Sequence, residues 1–239
     1  MRPVNHALSI ITGAALAAAL ISSPSFAGKP AAHDTVKPVD PAQFVARVDN
    51  PYFPLVPGTQ FVYHETKDGK TNINEVTVMS DTKVILGVTC TVVHDVVKAN
   101  GAIQEETNDW YAQDTAGNVW YFGEDTKEFL PKGVISTEGS WTAGVNNARP
   151  GFIMAGQPAP GAPYRQEYLK GHAEDMGQVV QLGDSVKVPF GALTGCVRTK
   201  EWSMLEAGTD LKWYAKGLGL VRAVSSAKEV LELVSVTQP

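Results

Sequence analysis

Apolar and polar positions alternate in short runs along most of the chain, and this two-residue period predicts half-buried β-strands rather than helices. The runs span 60–65, 74–79, 83–86, 90–97 and 107–113 and are rich in β-branched and aromatic residues. Turn clusters such as Lys67-Asp68-Gly69-Lys70 and Ala99-Asn100-Gly101 separate them. Asp109-Trp110-Tyr111-Ala112-Gln113, then Asp114-Thr115-Ala116-Gly117-Asn118, then Val119-Trp120-Tyr121-Phe122 predict a β-hairpin with a glycine-bearing loop. Alternation places Glu105, Asp109 and Tyr111 on one face of it and Glu106, Trp110 and Asp114 on the other. In the run 90–97, His94 accompanies Cys90 toward the expected interior and Asp95 points the opposite way.

The chain ahead of these strands has a different pattern. Residues 1–27 carry one charge at Arg2, an apolar stretch over 7–21, and then Ser22-Ser23-Pro24-Ser25-Phe26-Ala27. That order predicts a secretory signal cleaved after Ala27. The apolar stretch is shorter than the ~20 residues a membrane anchor needs, and no cysteine follows it to accept a lipid. A periplasmic or secreted protein without a stable membrane anchor is expected. Residues 28–49 predict a flexible leader, with one helical turn at 44–48 docked on the domain. Over 50–58, Pro51, Pro54 and Pro57 forbid both helix and central strand, so Tyr52, Phe53 and Leu55 are expected to cover one end of the core from an extended segment.

A weak internal repeat organises the rest. Gly87-Val88-Thr89-Cys90, Trp110-Tyr111-Ala112 and Gly117-Asn118-Val119 recur in order as Gly191-Ala192-Leu193-Thr194-Gly195-Cys196, Trp213-Tyr214-Ala215 and Gly219-Leu220-Val221. The expected fold is mainly β with little helix: two similar antiparallel meander units, about 59–125 and 165–236, forming a sandwich or partly open barrel within one domain over 50–239. Between the units, residues 131–163 hold five prolines and six glycines. Such a stretch inside a domain is a candidate lid or binding loop.

Composition narrows the partners. Without residues 1–27 the chain has 212 residues and a net charge of −6, which disfavours nucleic acid and anionic membrane surfaces. The two cysteines, Cys90 and Cys196, are not in a C-x-x-C motif, and export favours a disulfide between them over two buried thiols.

No motif of a hydrolase elbow, zinc protease, phosphate loop, dinucleotide fold or EF-hand occurs. An enzyme is therefore disfavoured, though an envelope hydrolase working from a raised-pKa carboxylate, or from a nucleophile beside His94 or His172, is kept as one alternative. The hairpin acids are expected as solvated surface or as ligands of a calcium-like cation through Asp109 and Asp114. His172 with Glu174 offers two ligands for a transition metal. A divalent cation is accordingly the cofactor weighed as the second alternative.

Two strings are more specific: Asn50-Pro51-Tyr52-Phe53-Pro54-Leu55 with Pro57-Gly58-Thr59, and Asp109-Trp110-Tyr111-Ala112-Gln113-Asp114 with Gly117-Asn118-Val119-Trp120-Tyr121-Phe122-Gly123-Glu124. Through them the chain resembles a family of exported bacterial proteins, a resemblance that spans most of the residues after the signal and implies no activity. The leading expectation is an exported, soluble binding module for a small molecule or cation. Its site would lie between the two β units, lined by Trp110, Tyr111, Trp120, Trp141 and Arg149.

Overall fold

Eighteen strands and two 3-10 turns make up the described residues, 39–239, of the computed structural model. The expected signal and the first part of the leader lie outside them. Three short strands come first: β1 (Phe44–Val45), β2 (Val48–Asn50) and β3 (Phe53–Leu55). Five long ones follow: β4 (Gln60–Lys67), β5 (Lys70–Ile85), β6 (Val88–Ala99), β7 (Ala102–Asp114) and β8 (Val119–Leu130). Short pieces come next: β9 (Val134–Ser136), β10 (Trp141–Thr142), β11 (Arg149–Met154), β12 (Tyr164–Arg165) and β13 (Glu167–Tyr168). The chain ends with β14 (Asp175–Val188), β15 (Gly191–Ser203), β16 (Asp210–Ala215), β17 (Gly219–Ser225) and β18 (Val230–Thr237).

These strands form one antiparallel meander in the order β14-β15-β16-β17-β18-β4-β5-β6-β7-β8-β11. The last strand returns beside the first long one, with Leu233 opposite Tyr63. The two free edges meet at a single segment: β12 pairs with β14, β13 pairs with β11, and only Gln166 separates β12 from β13. The Gln166 N–H donates to the Asp175 carbonyl at 2.9 Å, continuing the ladder. The sheet is therefore a nearly closed barrel, and closure removes the exposed edges that an open sheet would present.

Turn chemistry places the hairpins. In the β7–β8 turn, Asp114 Oδ1 accepts from the Ala116 and Asn118 N–H groups, and Gly117 takes φ +83. On the inner face, Tyr63, Val76, Val78, Val93, Tyr111, Tyr121, Tyr214, Leu231 and Leu233 are buried. The β2–β3 hairpin plugs one end of the barrel, and the Phe53 ring lies 5.2 Å from Tyr111 and 6.3 Å from Tyr214. Phe53 and Leu55 thus cover the core from an extended, proline-bearing segment.

Three expectations change. The segment after Asp40 is a 3-10 turn, Pro41–Gln43, followed by β1, which adds to β7 with Phe44 opposite Asp114. Residues 44–48 form no helical turn, because strand β7 offers the backbone of β1 a ladder there. The loop 131–163 is pinned rather than loose: β9, β10 and β11 all pair with β8. Finally, Cys90 and Cys196 are buried, unbonded thiols. They stand on β6 and β15, six strand steps apart in either direction round the barrel, so their Cα atoms cannot approach to the ~7 Å limit for a disulfide.

Candidate functional site

The β7–β8 pair builds the site. Alternation along β7 turns Glu105, Thr107, Asp109 and Tyr111 inward and Trp110 to the outer face, where it too is buried, at 4% exposure. On β8 a bulge at Phe122-Gly123 offsets the register, so that Asp109 faces Glu124 and Tyr111 faces Tyr121. Gly123 has φ +124, and a Cβ there would lie 2.3 Å from the Trp141 carbonyl oxygen. Only glycine allows β10 to approach so closely, and that approach brings Trp141 opposite Glu124.

A cleft of about 310 Å³ opens where β10 and its following loop meet β7 and β8. Its walls include Lys83, Trp110, Glu124, Asp125, Trp141 and Asn146. The Lys83 ammonium lies 3.2 Å from the centroid of the Trp110 ring. Its pKa is pushed below the ordinary lysine value by burial, against the opposing pull of Asp125 and Cys90. Glu124 Oε2 accepts from the Thr126 hydroxyl at 2.7 Å.

Behind Glu124 the interior is acidic. Burial pushes the Asp109 carboxyl well above its ordinary value, the Glu124 charge adds to this, and the Tyr121 hydroxyl, donating to Asp109 Oδ1 at 2.6 Å, opposes it. Asp95 is raised by burial and then by the charges of Asp109 and Glu105. Glu167 is raised by burial and then by Asp175 and Glu124. These groups favour their protonated forms, because ionising several carboxyls in one dry interior is costly. The opposite wall is balanced differently: Lys212 Nζ reaches Glu201 Oε2 at 2.7 Å, and Glu201 also accepts from Thr199 and Tyr214. Although burial works to raise it, Glu201 is held below its ordinary value by the Lys212 charge and by hydrogen bonds from Lys212, Thr199 and Gln166.

Of the five aromatic and basic residues expected in the site, Trp110 and Trp141 line the cleft, the Trp141 ring packing edge-on against the core Tyr121 ring at 5.4 Å. Tyr111 is in the core, 4.9 Å from the Tyr121 ring. Trp120 packs 4.1 Å from Phe152, and its Nε1 donates to Asp114. Arg149 lies over the Tyr168 ring at 5.2 Å, outside the cleft lining. The four expected metal ligands are dispersed. Asp109 points inward, Asp114 organises the hairpin turn, His172 Nε2 lies 3.2 Å from the Ser140 carbonyl, and Glu174 accepts from the Gly171 N–H. Among the described residues no group of three or more His, Cys, Asp or Glu is arranged to hold a metal ion.

Two further placements differ from expectation. Asp109, Glu105 and Glu124 are buried instead of solvated, because closure of the barrel turns their face inward. His94 is half-buried and pairs with Glu106 at 3.0 Å, while Asp95 on the alternate face is the buried member. Neither His94 nor His172 lines the cleft. Lys83 and Asn146 were not foreseen as site residues. Lys83 meets Trp110 only through the register of β5, β6 and β7, which leaves no local signature.

Fold and cleft together define a nearly closed antiparallel β-barrel protein with a small lateral cleft. No family model matches the chain, and no curated protein matches it. Three solved chains are similar to it, two of them as follows. One, from Bacteroides fragilis NCTC 9343, is described as exported with a YmcC-like fold; it is 17% identical, covers 78% of this chain and 99% of its own, and has a TM-score of 0.47. The other, from Parabacteroides distasonis ATCC 8503, is described as a lipoprotein; it is 14% identical, covers 79% of this chain and 99% of its own, with a TM-score of 0.45.

Proposed function

We propose that the chain is an extracytoplasmic binding module whose small ligand sits in the cleft between Trp110 and Trp141. The observation that carries this reading is the cleft itself. Its volume of about 310 Å³ is at the lower end of the range of small-molecule sites, and its lining combines the residues Trp110 and Trp141 with a few polar groups. Both indoles are held by backbone geometry, Trp110 by strand β7 and Trp141 by the close approach at Gly123, so the walls are formed before any ligand arrives. Preformed walls reduce the ordering cost of binding. The signal-like pattern over 1–27 supports a place outside the cytoplasm.

The test is a thermal-shift screen of the protein lacking residues 1–27 against sugars, amino acids, organic amines and carboxylates. A ligand that binds only the folded state raises the melting temperature by mass action. Any hit is then repeated with Val145→Trp, which places a bulky ring from an exposed position into the cleft. The expected outcome is a stabilising ligand whose effect disappears in Val145→Trp. A hit that survives the plug would place binding elsewhere and overturn the reading.

A further inference from the structure

The cleft already contains a cation on an aromatic face. The Lys83 ammonium, carried on an exposed strand position of β5, reaches across β6 to the Trp110 ring at 3.2 Å from its centroid. Indole is the side chain that attracts cations most strongly through its ring face. The same cleft presents the carboxylate of Asp125, which acts on the Lys83 charge, and among the described residues Lys83 is the sole cationic side chain of its lining. An incoming anion would meet the Asp125 carboxylate, while the ammonium that could attract it is engaged with the ring. A neutral ring would find the Trp110 face covered by charge.

We infer that the cleft takes an organic ammonium or guanidinium ion, which displaces the Lys83 ammonium from the Trp110 ring. This rests on the cleft being the binding site and adds the chemical class of its occupant. Lys83 is a tethered competitor on a long flexible stem, and because its strand position is exposed the displaced ammonium can be rehydrated on release. The incoming cation inherits the ring face together with Asp125. A tethered competitor weakens the apparent affinity by the fraction of time it occupies the site. If Lys83 is docked nine-tenths of the time, its removal tightens binding about tenfold.

The experiment is titration calorimetry at low salt with choline and putrescine as probes, and with 3,3-dimethylbutanol as the uncharged match of choline. It uses the protein lacking residues 1–27, Lys83→Met and Asp125→Asn, with folding of each checked by circular dichroism. The expected result is saturable binding of at least one cation and none of the alcohol. Affinity should tighten about tenfold in Lys83→Met and weaken by a similar factor, about tenfold, in Asp125→Asn. Binding that weakens or is unchanged in Lys83→Met overturns the inference, as does a folded Lys83→Met protein that binds neither cation. A neutral or anionic hit from the broader screen that is lost in Val145→Trp would leave the cleft as the binding site and reject only the cationic class.

Discussion

Charge balance inside the barrel is set residue by residue. Aligned on their Trp-Tyr-Ala triplets, the two halves place Lys212 where the other half has Asp109. The Asp109 position thus carries an acid where the other half carries a base, and burial keeps Asp95, Asp109 and Glu167 toward their protonated forms. Their folded pKa values lie above the unfolded ones, near 4, so the folded chain holds more protons and stability falls as pH rises from about 4 through the folded values. Asp210, pushed up to about 6 mainly by burial, contributes in the same direction between about 4 and 6. Glu201 has the opposite sign: its contribution is present above about 4.5 and is lost as pH falls through its depressed value. Melting temperature should therefore be highest in mildly acidic buffer and decline toward alkaline pH, and Asp109→Asn should flatten that decline. A melting temperature that rises steadily from pH 5 to 9 would contradict the assignment. In the second half, Lys212→Met should cost about 3–5 kcal/mol in urea unfolding, since it strands the buried Glu201 charge. Adding Glu201→Gln should recover most of that loss, because no uncompensated charge then remains.

Elements meet most tightly where a strand runs against backbone. At Gly123 an added methyl would meet the Trp141 carbonyl at 2.3 Å, and the residue also has φ +124. Gly123→Ala should therefore push β10 away from β8, cost at least ~2 kcal/mol, and speed amide exchange at Ala143, whose N–H donates to the Phe122 carbonyl. Gly69, at φ +72 in the β4–β5 turn, has nothing within 4 Å. Its alanine variant should cost only about 1 kcal/mol, from the backbone conformation alone. Equal costs at the two sites would show that steric contact between β8 and β10 is not what the glycine serves.

At the scale of the whole molecule, closure through 164–168 joins the two edges of the sheet, and the cysteines end up on opposite walls. Stability should accordingly be indifferent to reductant, and both thiols should resist alkylation until the chain unfolds. Burial raises the Cys90 thiol to about 12, which removes the reactive thiolate as well as the access. Quantitative modification under native conditions, or a melting temperature lowered by dithiothreitol, would refute this placement.

The strands, the 109–122 hairpin and the small helix content were legible in the sequence because alternation and turn chemistry are local properties carried by adjacent residues. So was the covering role of Phe53 and Leu55, since three prolines leave an extended segment few other forms. Trp110 and Trp141 stood out as large side chains for a site, yet Tyr111 and Trp120, their equals by composition, went to the core and to a hydrogen bond with Asp114. Alternation separates Trp110 from Tyr111, but which of the two faces inward depends on the direction in which the sheet closes. Closure likewise turned the hairpin acids from a solvated face into a buried one and set Cys90 and Cys196 apart. The contact of Lys83 with Trp110 follows from registers across three strands. Pairings between residues distant in the chain are decided by closure and packing, and no short window of residues contains them.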